Sequence, residues 1–81
     1  MVFVDIVSIE GDTVIAEYRP EHRCAEPGTV TFSMEKQWLT GYDRSPDDNM
    51  SGSWYIAHAA VALKRMTSET PMRMSGMSAW Y

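Results

Sequence analysis

Residues 54–67 read WYIAHAAVALKRMT. On a 100° wheel Tyr55, Ile56, Ala59, Ala62, Leu63 and Met66 share one stripe, the spacing of an amphipathic helix and not of a strand. Pro71 removes a backbone donor, which ends any such helix by residue 70. Ser51 or Ser53 can cap its start. Ala59, Ala60 and Ala62 carry little bulk, so this helix is expected to lie close against its support.

The support is read from the flanking segments. Residues 2–9 (VFVDIVSI) are β-branched and apolar at nearly every position, and 13–18 (TVIAEY) return after the turn signal Glu10-Gly11-Asp12. A two-residue Gly11-Asp12 loop sets Ile9 opposite Val14, Val7 opposite Ala16 and Asp5 opposite Tyr18. Phe3, Val7, Ile9, Val14, Ala16 and Tyr18 then share a face. Residues 19–25 are polar and read as a loop, and Glu26-Pro27-Gly28-Thr29 fits a type II turn. Residues 29–34 (TVTFSM) alternate, and 38–43 (WLTGYD) run back, with Phe32 opposite Leu39 and Ser33 opposite Trp38. One face of this hairpin holds Val30, Phe32 and Leu39. The other holds Thr29, Thr31, Ser33, Trp38, Thr40 and Tyr42. Residues 44–52 are a linker of turn formers. Residues 72–81 alternate again and predict a last strand with Gly76 as a bulge. The order β-β-β-β-α-β predicts an α+β fold: one domain spanning 1–81, an antiparallel sheet of four to five strands with one helix on one face.

Length and charge narrow the function. Eighty-one residues bury only about 60–65% of the unfolded chain's surface, so association with a partner is a natural source of added stability. The net charge is −4, with ten acids against four bases in residues 1–50 and one acid against three bases in 51–81. Such a chain lacks the clustered Lys and Arg that phosphate neutralisation requires, so no nucleic-acid partner is expected. No apolar run approaches the roughly 20 residues of a membrane helix, and no membrane partner is expected. The start, Met1-Val2-Phe3-Val4-Asp5, lacks a basic leader region, and the single Cys24 cannot form an internal disulfide. Both features lead to an expected cytoplasmic location.

Little in the sequence points to catalysis. His22 and Cys24 stand two apart with Glu21 and Glu26 nearby, but a zinc site needs four ligands at recognisable spacings. A Cys24–His58 pair has the residue types of a nucleophile and base without any surrounding signature. The glycines are scattered singly, so no phosphate loop is present. Asp43, Asp47 and Asp48 lack the Gly and distal Glu of a calcium loop. No cofactor, no metal and no catalytic residue is therefore assigned. Two surfaces suit binding. Trp38 and Tyr42 fall on the Thr-rich side of the second hairpin, and aromatics on a wet sheet face anchor partners. Trp54, His58, Val61 and Arg65 run along the helix edge beside the apolar stripe, a composition typical of interfaces. Met66, Met72, Met74 and Met77 add adaptable bulk near the end of the chain.

The run Tyr55-Ile56-Ala57-His58-Ala59 with Leu63, together with Trp80-Tyr81, resembles a group of small uncharacterised bacterial proteins. These share an N-terminal hairpin, a Tyr-x-x-His-Ala helix and a terminal Trp-Tyr. The resemblance implies a bacterial origin and transfers no catalytic residue. The expected function is a non-catalytic protein-binding or regulatory module, with a protein partner or self-association as a homodimer. The alternatives are a small enzyme or a ligand- or metal-binding protein using Cys24, His22 or His58, and an antagonist of a host system encoded by a mobile element. The enzyme or ligand-binding alternative predicts a concave site joining the 19–28 loop to the helix.

Overall fold

A computed structural model describes residues 1–48 and 54–79. Five strands and one helix follow the predicted order: β1 (Val2–Glu10), β2 (Thr13–Pro20), β3 (Gly28–Ser33), β4 (Trp38–Asp43), α1 (Trp54–Ser68) and β5 (Ser75–Ser78). The strands form one antiparallel sheet, ordered β4-β3-β2-β1-β5. The helix covers one side of it. Every residue of the expected stripe (Tyr55, Ile56, Ala59, Ala62, Leu63 and Met66) is buried, with Ala60 beside them. They pack on Val2, Val4, Ile6, Val14, Ala16, Tyr18, Val30 and Phe32, with Leu39 partly buried at the margin. The proposed caps Ser51 and Ser53, and the terminal Trp80 and Tyr81, lie outside the described residues.

The first hairpin corrects one expectation. Its turn is as read: Gly11 takes a φ of 58°, and Ile9 pairs with Val14. Between Ile6 and Ser8, however, the register shifts, so Ile6 pairs with Ala16 and Asp5 with Glu17. The buried residues of β1 are thus Val2, Val4 and Ile6, in place of Phe3 and Val7, with Val7 60% exposed; Ile9, beyond the bulge, keeps its expected place opposite Val14 but is 40% exposed at the strand tip. The cause is Asp5. In the unbulged register its carboxylate would join Phe3 and Val7 facing the core, at a large desolvation cost. The bulge at Val7 turns it to the open side, where Arg19 Nη1 at 3.3 Å and Ser75 Oγ at 2.7 Å donate to it. A bulge reverses inside and outside for everything on one side of it.

The second hairpin pairs as expected at its turn, Phe32 with Leu39 and Ser33 with Trp38. A shift between Thr31 and Phe32 leaves Thr40 as the extra residue, so Tyr42 lies opposite Val30. Tyr42 therefore moves from the expected Thr-rich face to the side of the helix. The expected final strand is shorter than residues 72–81, and Gly76 is regular, paired with Val4 and not bulged. Asp12 locks the two hairpin turns together: its carboxylate accepts from Ser33 Oγ at 2.6 Å and from the Glu35 backbone N–H at 2.6 Å.

Ala59 is fully buried between helix and sheet. Ala59→Glu places both volume and charge there, and should lower stability by about 2 kcal/mol or more. Thermal melting checks this against Lys64→Glu on the exposed side of the helix, whose midpoint should move far less.

Candidate functional site

Among the described residues, concave regions flank the core. The first lies between the edge strand β4 and α1. It has a volume of about 290 Å³ and is lined by Trp38, Leu39, Thr40, Gly41, Tyr42, Ile56 and Ala57. Ile56 supplies a buried apolar floor. Gly41 leaves open space, because a Cβ there would meet nothing within 4 Å. Trp38 and Tyr42, 46% and 51% exposed, form the rim. Each ring has a cation near it: Lys64 Nζ is 5.4 Å from the Trp38 centroid, and the Arg44 guanidinium carbon is 5.9 Å from that of Tyr42. Sequence reasoning named both aromatics but set them on a wet sheet face. The bulge at Thr40 and the nearness of the helix turn them into the walls of a groove. Gly41, Ile56 and Ala57 were missed as parts of it, because no local pattern says which helical turn will stand above which strand.

The helix edge divides. The Trp54 and His58 rings meet edge to face, 5.0 Å between centroids. His58 Nδ1 lies 3.3 Å from Ser78 Oγ on β5. Val61 is half-buried, and Arg65 is exposed over a second cleft beside β5. Trp54, His58, Val61 and Arg65 follow one flank of α1, on which His58 and Arg65 reach toward β5.

The third region joins residues 20–25 to the helix, as the ligand-binding alternative required. It holds about 410 Å³ and is lined in part by Glu21, His22, Cys24, Asp47 and Tyr55. Its polar groups are largely committed. The Tyr55 hydroxyl donates to Glu21 Oε1 at 2.9 Å, and the Met1 ammonium donates to the same oxygen at 3.0 Å. The ammonium contact, followed by that of Tyr55, holds the Glu21 carboxyl below its usual range. Burial, reinforced by the Glu21 carboxylate, pushes the Tyr55 phenol up to about 12. His58 does not line this cleft, so Cys24 and His58 share no site. No group of three or more His, Cys, Asp or Glu side chains converges among the described residues.

Behind this cleft a buried polar node anchors the linker. The Tyr18 hydroxyl donates to Asp48 Oδ2 at 2.9 Å and accepts from the Ser45 backbone N–H at 2.9 Å. Arg44 Nη1 is 3.4 Å from the same carboxylate oxygen. Ser45 Oγ donates to the Glu26 carbonyl, and the Glu26 N–H donates to Asp47 Oδ2 at 2.8 Å. Gly28 makes room for the ring: a Cβ there would stand 2.3 Å from Tyr18 Cε1 and 2.5 Å from the Ser45 nitrogen. Burial raises the Tyr18 phenol to about 12, opposed by the Ser45 N–H and reinforced by Asp48.

Set against models of known families, curated proteins and solved structures, the chain matches none of them. Among the described residues no helix is long and apolar enough to cross a membrane.

Tyr18 and Tyr55 both ionise later in the folded state, near 12, than an ordinary phenol near 10. The unfolded chain therefore loses these protons first as pH rises. Their contribution is fully present below pH 10 and is lost as pH climbs toward 12. Denaturant titrations across this window should show falling stability. Tyr18→Phe should flatten the fall, while costing about 1–3 kcal/mol at neutral pH by stranding the Ser45 N–H and leaving Asp48 Oδ2 with Arg44 alone.

Proposed function

We propose that this protein is a non-catalytic, cytoplasmic protein-binding module that grips a partner polypeptide at the groove between β4 and α1. The observation that carries the reading is the conjunction of two exposed aromatics, Trp38 and Tyr42, over an apolar floor at Ile56 and an open Gly41. Rigid aromatic walls around a desolvated floor are the usual composition of an interface hot spot. At about 290 Å³ the groove suits one or two partner side chains and sits at the lower limit for a small-molecule pocket. The bulge at Thr40 breaks the regularity of the β4 edge, which disfavours simple strand addition there. Recognition at this groove consequently uses side chains and not a continuous backbone ladder.

The ligand-binding alternative attaches to the larger cleft lined by His22 and Cys24. It ranks second because Glu21 and Tyr55, its best polar groups, already bind each other.

The test is retention of a partner on the immobilised protein from an extract of the cells that encode it. Trp38→Ala/Tyr42→Ala should weaken a specifically retained polypeptide by about 30-fold, the equivalent of one hot spot near 2 kcal/mol, without lowering the melting midpoint. Equal retention by both proteins, or no specific retention at all, defeats the reading. Light scattering on the isolated protein distinguishes a second copy from a foreign partner.

A further inference from the structure

The opposite edge of the sheet is built differently. β5 pairs with β1 in unbroken register, from Val2 with Ser78 to Asp5 with Ser75. It is the outermost strand, and among the described residues no strand lies beyond it. An edge without a bulge can accept an extended chain through main-chain hydrogen bonds. Gly76 pairs with the buried Val4, so it faces the helix. Having no side chain, it makes room for Met66: a Cβ at Gly76 would stand 2.7 Å from Met66 Sδ. A cleft beside them, about 280 Å³, has Ala62 and Met66 as its apolar side, and Arg65, Arg73 and the single acid Glu69 at its margin.

Charge selects the occupant. Arg73 Nε meets Glu69 Oε2 at 3.5 Å, an exposed pair of little strength. Arg65 lies on the same cleft, and no ion pair joins it to an acid among the described residues. Residues 51–81 carry three bases against this single acid, in a chain otherwise strongly acidic. Guanidinium groups favour carboxylates because their planar donor forks match them. The acidic linker of a second copy is a poor occupant, since Asp48 is buried against Tyr18 and Asp47 is held by Glu26.

We infer that the outer edge of β5 takes an extended acidic segment of a partner polypeptide, paired antiparallel to Ser75–Ser78. One apolar side chain of the segment enters the cleft beside Met66, and the flanking carboxylates meet Arg65 and Arg73. This surface shares no residue with the groove at β4, so the failure of either leaves the other standing.

The probe is an end-blocked heptapeptide of alternating Glu and Val, titrated into the isotope-labelled full chain and followed by nuclear magnetic resonance. Amide shifts are expected at residues 75–78 and side-chain shifts at Arg65 and Arg73. Arg65→Glu/Arg73→Glu should weaken binding about tenfold while the melting midpoint holds. Methylating alternate peptide nitrogens should abolish binding, as strand pairing requires those donors. The inference is overturned if the Lys-Val counterpart binds equally well, if the shifts map to Trp38 and Tyr42 instead, or if millimolar peptide moves nothing.

Discussion

One helix has to cover a sheet wider than itself. Five strands at about 4.8 Å spacing span roughly 19 Å between the outermost axes, whereas a helix with its side chains is about 10–12 Å across. The short side chains of Ala59, Ala60 and Ala62 let α1 settle low over the middle of the sheet, where its contacts exclude water from Val4, Ala16 and Val30. The outer strands are then left only partly roofed. The groove beside β4 and the cleft beside β5 are both consequences of that mismatch. Each edge strand contributes a glycine to its hollow, Gly41 on one side and Gly76 on the other. The two differ in their surroundings: Gly41 has open space where a side chain would stand, whereas at Gly76 that room is taken by Met66.

Two bulges decide what each face presents. The shift at Val7 is driven by a carboxylate: Asp5 has to reach the open side, where Arg19 and Ser75 receive it. Once it does, Val2, Val4 and Ile6 turn inward and the tip of β1 is left with exposed Val7 and Ile9. The shift at Thr40 has the opposite effect on function, carrying Tyr42 to the side of the helix beside Ile56 and Ala57. The same irregularity guards the β4 edge against indiscriminate pairing with other chains. The two edges thereby acquire different chemistry, aromatic and bulged on one side, basic and regular on the other.

Residues 44–48 are held by burial of polar groups. Among the described residues Tyr18 is the one large, fully buried core side chain that carries a hydroxyl, and its hydrogen bonds to Asp48 and Ser45 hold this segment to the sheet. Gly28 is required for the same reason, since the tyrosine ring and the linker backbone occupy the space of a Cβ. Most of the donors and acceptors of this node find one another, although the buried Asp48 Oδ1 has no hydrogen-bond partner among the described residues. The node fixes the geometry of residues 43–48, and the third cleft borders on it at Asp47.

Local pattern was enough for the order of elements, the apolar stripe of α1, the two hairpin turns, and the exposure of Trp38, Tyr42 and Trp54. Those features depend on periods of 2 and 3.6 residues and on turn chemistry, all of which act between near neighbours. What escaped was every feature set by residues far apart in the chain. Asp5 needed Arg19 and Ser75 before the bulge had a reason. Tyr42 needed α1 above it to become a wall. Gly76, read as a bulge, needed Met66 beside it before its missing side chain had a reason. Alternation along a strand says that its two sides differ, but which side meets the helix depends on where a buried charge would otherwise fall, and that is settled only when the whole sheet is assembled.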